Sequence, residues 1–402
     1  MRSLEDYSDI VGEEVISAIY KKARSLYGVR VLMINSTYYG GGVAEILNTF
    51  VPLMNDIGLR MGWRILRGTP DFFDITKRFH NALQGEEINL TEIKKDLYVE
   101  ANQAFSTYTH IDHDCVIIHD PQPLPLIRYY AKRQPWIWRC HVDLSNPSPE
   151  FWSFLKRFIL RYDMVVISSS KYRREDLPVF QRVIHPSIDP LSPKNMDLKK
   201  GVIAKSLKRF KIPTDKPIIA QVGRFDKWKG CEAALDVYQR VRQKVDCRLV
   251  LCGSMATDDP EGQIVYESVL RKANDLVKNG EVILITSENN ILVNALQRVA
   301  SVILQMSSRE GFGLTVTEGL WKGKPVIASN VGGIGHQVAD GETGFLLEPD
   351  DIDGFVENTL RILKDPKAGK EVGRAGKECV RQNFLITRLL SDYLDLLNDV
   401  MV

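Results

Sequence analysis

Glu310 and Glu318, separated by seven residues in Arg309-Glu310-Gly311-Phe312-Gly313-Leu314-Thr315-Val316-Thr317-Glu318-Gly319, have the types and spacing best suited to chemistry in this chain. The stretch follows an apolar run, Val302-Ile303-Leu304-Gln305-Met306, that reads as a buried parallel strand. A helix is expected from about Leu314 to Trp321, then another strand at Pro325-Val326-Ile327-Ala328. Glycines at a strand-to-helix turn bare main-chain N–H groups at the positive end of a helix dipole, where a diphosphate can sit. Here those are the N–H groups of Gly313 and Leu314. Carboxylates beside such a turn hold phosphate poorly but accept hydrogen bonds from hydroxyls well. A phosphate cradle flanked by hydroxyl acceptors suits a nucleotide sugar. On spacing alone, two solvated carboxylates at a helix end fit equally well.

Other candidates stand where apolar runs end. Gln221-Val222-Gly223-Arg224 leads through Phe225-Asp226-Lys227-Trp228 into Lys229-Gly230. Arg can grip phosphate bidentately and Lys acts as a point charge; alone, the two also fit a solvated helix start. In the first half, Ser36-Thr37-Tyr38-Tyr39-Gly40-Gly41-Gly42-Val43-Ala44-Glu45 joins a strand to a helix. Its glycines permit close approach of the backbone to a ligand. No Lys-Ser/Thr follows and the spacing is not a dinucleotide fingerprint, so a flexible turn remains an alternative. In Ile118-His119-Asp120-Pro121-Gln122-Pro123-Leu124, Asp120 and Gln122 offer partners to a polyhydroxylated molecule, or form an ordinary proline-rich turn. Trp138-Arg139-Cys140-His141-Val142-Asp143 places Arg139 and His141 at another strand end. His113, between Asp112 and Asp114, is expected to be solvated rather than metal-binding.

Strand-like and helical runs alternate along the chain, which favours parallel α/β layers. Strands are expected at Val29–Asn35, Trp63–Arg67, Cys115–His119, Trp136–Cys140, Met164–Ser168 and Arg182–His185. A second set follows near Ile218–Val222, Arg248–Cys252, Val282–Ile285, Val302–Gln305 and Val326–Ala328. Helical patterns include Val43–Leu53, which Pro52 should kink or shorten, and Phe151–Leu160. Pro186-Ser187-Ile188-Asp189-Pro190-Leu191-Ser192-Pro193-Lys194-Asn195 concentrates proline and serine between the two sets and reads as a linker. The expected organisation is two doubly wound Rossmann-like α/β domains facing a cleft, residues 1–190 and 191–385, followed by a final helical segment, 386–402.

Composition excludes several classes. The net charge is only +2, so no basic surface calls for nucleic acid or an anionic membrane. Met1-Arg2-Ser3-Leu4-Glu5-Asp6 is charged, and no run reaches the roughly 18 apolar residues of a membrane span. A soluble, cytoplasmic protein is expected. The 6 cysteines show no Cys-x2-Cys pair and read as small buried thiols.

Together, Arg224, Lys229, the Glu-x7-Glu run, Ala328-Ser329-Asn330-Val331-Gly332-Gly333-Ile334, Asp340-Gly341 and Thr343-Gly344-Phe345-Leu346 resemble retaining glycosyltransferases of the family 4 type. The first-half motifs around Tyr39–Glu45, His119–Pro123 and Trp138–Asp143 are similar to those of the trehalose-forming members. The resemblance implies a GT-B fold and a hexosyltransferase that joins the glucose of a nucleoside-diphosphate glucose to free glucose, giving trehalose. It implies donor contacts from Gly41, Gly42, Arg224, Lys229, Glu310, Phe312, Gly313, Leu314, Thr315 and Glu318, with Glu310 against sugar hydroxyls and Glu318 on the ribose. Acceptor contacts fall to Tyr39, Asp120, Gln122, Arg139 and His141; Arg224, Lys229, Glu310 and His141 are the catalytic set. It also implies a last helix that crosses back to the first domain. Neither cofactor nor metal is expected, since no Asp-x-Asp motif stands at a strand end near the donor loop and two cations can replace Mg²⁺. Whether the donor carries uridine, adenosine or guanosine diphosphate (UDP-glucose and ADP-glucose among them) is left open, as is whether the chain forms a homodimer. A retaining trehalose phosphorylase, a glycogen- or sucrose-type relative, and a non-catalytic nucleotide-sugar sensor are the competing readings.

Overall fold

The computed structural model describes residues 2–39, 41–253 and 260–401, so Gly40 of the glycine run lies outside the described residues. The chain divides into two compact units, Met1–Ser187 with Ile386–Val402, and Ile188–Leu385. The boundary expected at residues 190/191 falls close to this division, and the last helical segment belongs to the first unit.

The first unit is built on six parallel strands: β1 (Arg30–Asn35), β2 (Arg60–Ile65), β3 (Cys115–His119), β4 (Trp136–Arg139), β5 (Met164–Ile167) and β6 (Phe180–Val183). Their order is β2-β1-β3-β4-β5-β6. β3, β4 and β5 are buried along their whole length, which is why they read as continuous apolar runs. Side chains still alternate between faces. Trp136, Trp138 and Cys140 pack with Phe79, Tyr98 and Phe151 on one side, which turns Arg139 and His141 to the other. The C-terminal helix, Ile386–Met401, is tied to this unit by Lys22, whose Nζ lies 2.5 Å from Asp395, and by an edge-on contact of Tyr393 with Phe50 at 4.8 Å.

The second unit repeats the plan with β7 (Ile218–Val222), β8 (Arg248–Cys252), β9 (Val282–Ile285), β10 (Val302–Gln305), β11 (Val326–Ser329) and β12 (Phe345–Leu347). The order is β12-β11-β10-β7-β8-β9, again parallel. In such sheets ligands bind beyond the strand C-termini where the order reverses. That point is β1/β3 in the first unit and β7/β10 in the second. The loops carrying Tyr39–Gly42 and Asp120–Gln122 follow β1 and β3; those carrying Arg224–Lys229 and Glu310–Gly313 follow β7 and β10.

Several expectations need correction. The helix containing Pro52 is not shortened; it runs Gly42–Asp56 with the proline inside. β2 starts three residues earlier than expected and β6 two, because register with the neighbouring strand, not local hydrophobicity, sets those ends. β12 was missed: three residues at a sheet edge leave little periodicity to read. His113 is largely covered, its side chain only 12% exposed, and its ring would lie 3.2 Å from a Cβ placed on Gly62. Among the described residues no helix is long and apolar enough to cross a membrane.

Helix Pro366–Asn383 approaches the turn at Gly323 closely: a Cβ on Gly373 would lie 2.2 Å from the Gly323 carbonyl oxygen. Alanine would gain ~1 kcal/mol in helix propensity, but overpacking against backbone costs ~1–3 kcal/mol. Gly373→Ala should therefore destabilise the protein on balance, read as a lower urea midpoint; a raised midpoint would contradict the packing.

Candidate active site

In the second unit, β7 ends at Val222 and the chain turns through Asp226, whose side chain caps the short Lys227–Lys229 helix by accepting the Trp228 N–H at 2.8 Å. Gly230 then takes a left-handed conformation, φ 64°, where any Cβ would collide with the Met306 carbonyl oxygen at 2.0 Å. Glycine thus lets the β7 loop lie directly on the β10 loop. The contact is locked by Gln221, which donates to the Lys229 carbonyl at 2.9 Å, and by the Ser308 N–H, which donates to the Trp228 carbonyl at 2.9 Å.

That approach brings Lys229 to Glu310, Nζ to Oε2 at 2.5 Å, with the two side chains 20% and 13% exposed. Ser307 Oγ donates to the same oxygen at 3.3 Å; Gln305, which holds Ser307, is itself held by Thr315. Gly313 opens helix Leu314–Trp321 in a left-handed conformation, φ 84°. Of the N–H groups of the helix's first turn, that of Val316 goes to the Gly313 carbonyl at 2.9 Å, while those of Leu314 and Thr315 have no acceptor within the helix. Arg224 is exposed, and among the described residues it pairs with Asp226 at 3.8 Å. A cation, a carboxylate held by another cation, and a helix N-terminus therefore share one strand-end crevice.

Two donor residues are more deeply placed than the sequence suggests. Phe312 is 5% exposed and packs on Phe384 at 5.7 Å, so its ring belongs to the core and only its main chain can meet a ligand. Glu318 is 2% exposed; Gln297 donates to it at 3.3 Å and Lys194 Nζ lies 3.4 Å from its other oxygen. Lys194, Gln297, Gln305 and Ser307 escaped sequence reasoning. Lys194 falls in the stretch read as linker, and nothing in its neighbourhood marks it.

In the first unit, Gly41 precedes the helix beginning at Gly42 with φ 87°, which favours glycine there. Tyr39 is 79% exposed and meets Tyr38 edge-on; Tyr38 stacks on Trp63 with centroids 4.7 Å apart. After β3, Asp120 adopts φ 63°, an outlier of the sort that gathers at binding sites. Its carboxylate accepts the His141 main-chain N–H at 2.8 Å, and burial pushes its pKa up to about 6. Gln122 Oε1 is buried without a partner among the described residues.

Arg139 is 1% exposed, so its guanidinium lies in the interior rather than at an open surface. Its Nη2 donates to Ser168 Oγ at 3.2 Å, while Nε and Nη1 have no partner among the described residues. His119 Nδ1 lies 3.1 Å from His141 Nε2. Register pairs His119 with Arg139 across β3 and β4, a signal that strand alignment could have supplied. All three residues line a cavity of about 10 Å³, together with Phe50, Leu389 and Tyr393. Burial first, then the nearby Arg139 charge, pulls the pKa of His119 down to about 3 and that of His141 well below the ordinary histidine value.

Two parallel-sheet units, with a cation–carboxylate cluster at the switch point of the second, define a glycosyltransferase of the GT-B class. A crystal structure of a UDP-forming α,α-trehalose-phosphate synthase from Burkholderia xenovorans matches 93% of this chain and 100% of its own, with a TM-score of 0.74 at 13% identity. Residues 33–174 match the family described as trehalose synthase, N-terminal domain, and residues 202–379 the glycosyl transferases group 1 family. Trehalose synthase of Thermococcus litoralis is 49% identical over 99% of this chain and 97% of its own length. Trehalose phosphorylase of Pleurotus pulmonarius is 29% identical over 90% of this chain but only 56% of its own. The chain belongs to the trehalose synthase family.

The buried histidines carry a pH signature. His119 is neutral when folded, whereas the unfolded chain takes up its proton below about 6.5. Its contribution is thus complete above that value and is lost as pH falls toward about 3, at ~1.4 kcal/mol per pH unit. His141 adds in the same direction. Asp120 opposes them, since a raised carboxyl pKa favours the folded state at low pH and loses that advantage as pH rises through about 6. Two histidines outweigh one aspartate, so the denaturation midpoint should drop from pH 7 to pH 5, less steeply in His119→Asn. A flat profile in the native protein would refute the neutral pair.

Proposed function

We propose that the protein is a retaining glucosyltransferase that moves glucose from a nucleoside-diphosphate glucose to the anomeric hydroxyl of free glucose, making trehalose reversibly and without a metal. The observation that carries this reading is the Lys229–Glu310 pair beside the glycine-opened helix at β7/β10. An arriving diphosphate offers Lys229 a second anion and gives the exposed Arg224 its partner, while Glu310 turns to donor-sugar hydroxyls. Family membership supports the trehalose product, and the near-complete mutual coverage with the Thermococcus protein favours synthase over phosphorylase.

In the reaction, the bond between the anomeric carbon and the diphosphate breaks as the acceptor oxygen bonds to that carbon. The acceptor proton passes to the departing phosphate oxygen, giving nucleoside diphosphate and trehalose. Charge grows on the diphosphate, and Arg224, Lys229 and the N–H groups of Gly313, Leu314 and Thr315 are suited to stabilise it. We favour same-face substitution over a covalent intermediate on Glu310. A carboxylate bound by an ammonium at 2.5 Å and by Ser307 is a weakened nucleophile. Glu318 is assigned to the ribose, whose hydroxyls would replace Lys194 at the buried carboxylate. Tyr39, Asp120, Gln122 and His141 are assigned to the acceptor side, with Arg139 acting from beneath.

Purified protein given trehalose and nucleoside diphosphate should release glucose and nucleotide glucose, and given trehalose and phosphate should release no glucose 1-phosphate. Phosphate-dependent cleavage at a comparable rate would defeat the synthase reading. Arg224→Ala should lower kcat by roughly 10²-fold, a loss typical of one transition-state donor, with a smaller effect on nucleotide affinity. EDTA should leave native activity nearly intact; loss restored by Mg²⁺ would overturn the metal-free mechanism.

A further inference from the structure

Lys194 comes from a segment whose composition says only linker, yet it stands where a ligand of Glu318 must pass. Among the described residues the Glu318 carboxylate has two partners, one on each oxygen: Gln297 at 3.3 Å and Lys194 at 3.4 Å. Gln297 is 0% exposed, whereas the Lys194 side chain is 18% exposed and that of Glu318 2%. The solvent side of the carboxylate is therefore the side that Lys194 covers. Two partners leave lone pairs of the carboxylate unused, but a hydroxyl reaches them only after the ammonium moves.

The main chain around Lys194 is held against that movement. Asn294 Nδ2 donates to the carbonyls of Pro193 and Met196 at 3.0 and 2.8 Å. The Asn195 carbonyl accepts from Trp321 and from Arg298, each at 3.3 Å, and Lys322 Nζ lies 2.8 Å from the Asn195 side-chain oxygen. Residues on both sides of Lys194 are thus pinned to helices Asn290–Val299 and Leu314–Trp321 and the turn that follows. What can move is the flexible four-carbon side chain, by rotation about its own bonds. Its hold on Glu318 is loose as well. Hydrogen bonds between ammonium and carboxylate ordinarily measure about 2.7–2.9 Å, against 3.4 Å here.

We propose that Lys194 competes with the nucleotide for Glu318: its ammonium covers the carboxylate until the two ribose hydroxyls displace it by a side-chain rotation, and it returns as the nucleotide leaves. The competition rests on the ribose reading of Glu318 given above. It lowers the affinity of every nucleotide that uses this carboxylate, the nucleoside diphosphate product included. A nucleotide without the two hydroxyls leaves the Lys194–Glu318 pair in place, so removing the ammonium gives it no gain at Glu318.

The test is calorimetric titration of the full chain with whichever of UDP, ADP and GDP the native protein binds most tightly, and with the 2′,3′-dideoxy analogue of that nucleotide. Lys194→Met keeps the reach of the side chain and removes the charge. The ratio of dissociation constants, dideoxy over ribo, is expected to rise roughly tenfold, about the worth of one hydrogen bond to a charged group. Any lost attraction between Lys194 and the phosphates touches both ligands and cancels in that ratio. Lys194→Gln, which leaves a neutral donor, should give a smaller rise, and it carries the test if circular dichroism shows Lys194→Met to be unfolded. An unchanged ratio overturns the proposal. So does a lower one, which would make Lys194 a partner of the ribose. If the native protein binds none of the three nucleotides, the nucleotide-sugar reading itself falls, and the competition with it.

Discussion

A parallel sheet whose strand order reverses leaves adjacent strands with loops that depart to opposite faces, and the crevice between those loops is the one place a ligand can meet several strand ends at once. The chain meets this constraint twice, at β1/β3 and at β7/β10. In the second unit the crevice is narrowed until the loops touch, which Gly230 alone makes possible because Met306 occupies the space of a side chain. Lys229 and Glu310 are paired as a result of that contact. The carboxylate is remote from the lysine in sequence and owes its partner to the backbone approach.

The same crevice shows how polar groups are kept before substrate arrives. Lys229 is held by Glu310, and Glu318 by Lys194 and Gln297. A half-buried charge without a partner costs more than the pairing returns, so each of these residues needs a stand-in. On the function proposed above, binding of a nucleotide sugar would be an exchange of partners, phosphate for carboxylate and ribose for ammonium. Such an exchange avoids the full desolvation cost of exposing and reburying a charge. Arg224 is the exception, being exposed and, among the described residues, paired only with Asp226 at 3.8 Å, which on the proposed function would suit a group that makes first contact with a dianionic diphosphate.

Much of this was legible in the sequence, for identifiable reasons. Strands β3, β7, β8, β9 and β10 have the expected bounds because each is an apolar run cut off by polar loops. The helix after Gly313 is equally clear, since a glycine pair and a following apolar face mark its start. What escaped depends on contacts distant in sequence. Lys194 lies over Glu318 only through the packing of a segment rich in proline and serine, whose composition says linker and nothing more. Phe312 looked like a ligand contact because it sits between two glycines; its ring packs on Phe384, far along the chain. The depth of Arg139 was hidden likewise: a charged residue at a strand end reads as exposed unless the C-terminal helix is known to belong to that unit.

That helix brings Leu389 and Tyr393 to the cavity that holds Arg139 and His119. Excluding bulk water there has two opposite effects on the chemistry above it. It makes a guanidinium whose one partner among the described residues is the Ser168 hydroxyl costly, and it keeps both histidines neutral, first by desolvating the imidazoles and then by leaving the guanidinium charge poorly screened. A solvent-filled pocket would relieve the first effect and abolish the second. The first unit thus accepts a locally unfavourable charge in exchange for a histidine whose protonation state stays fixed where an ordinary histidine would titrate.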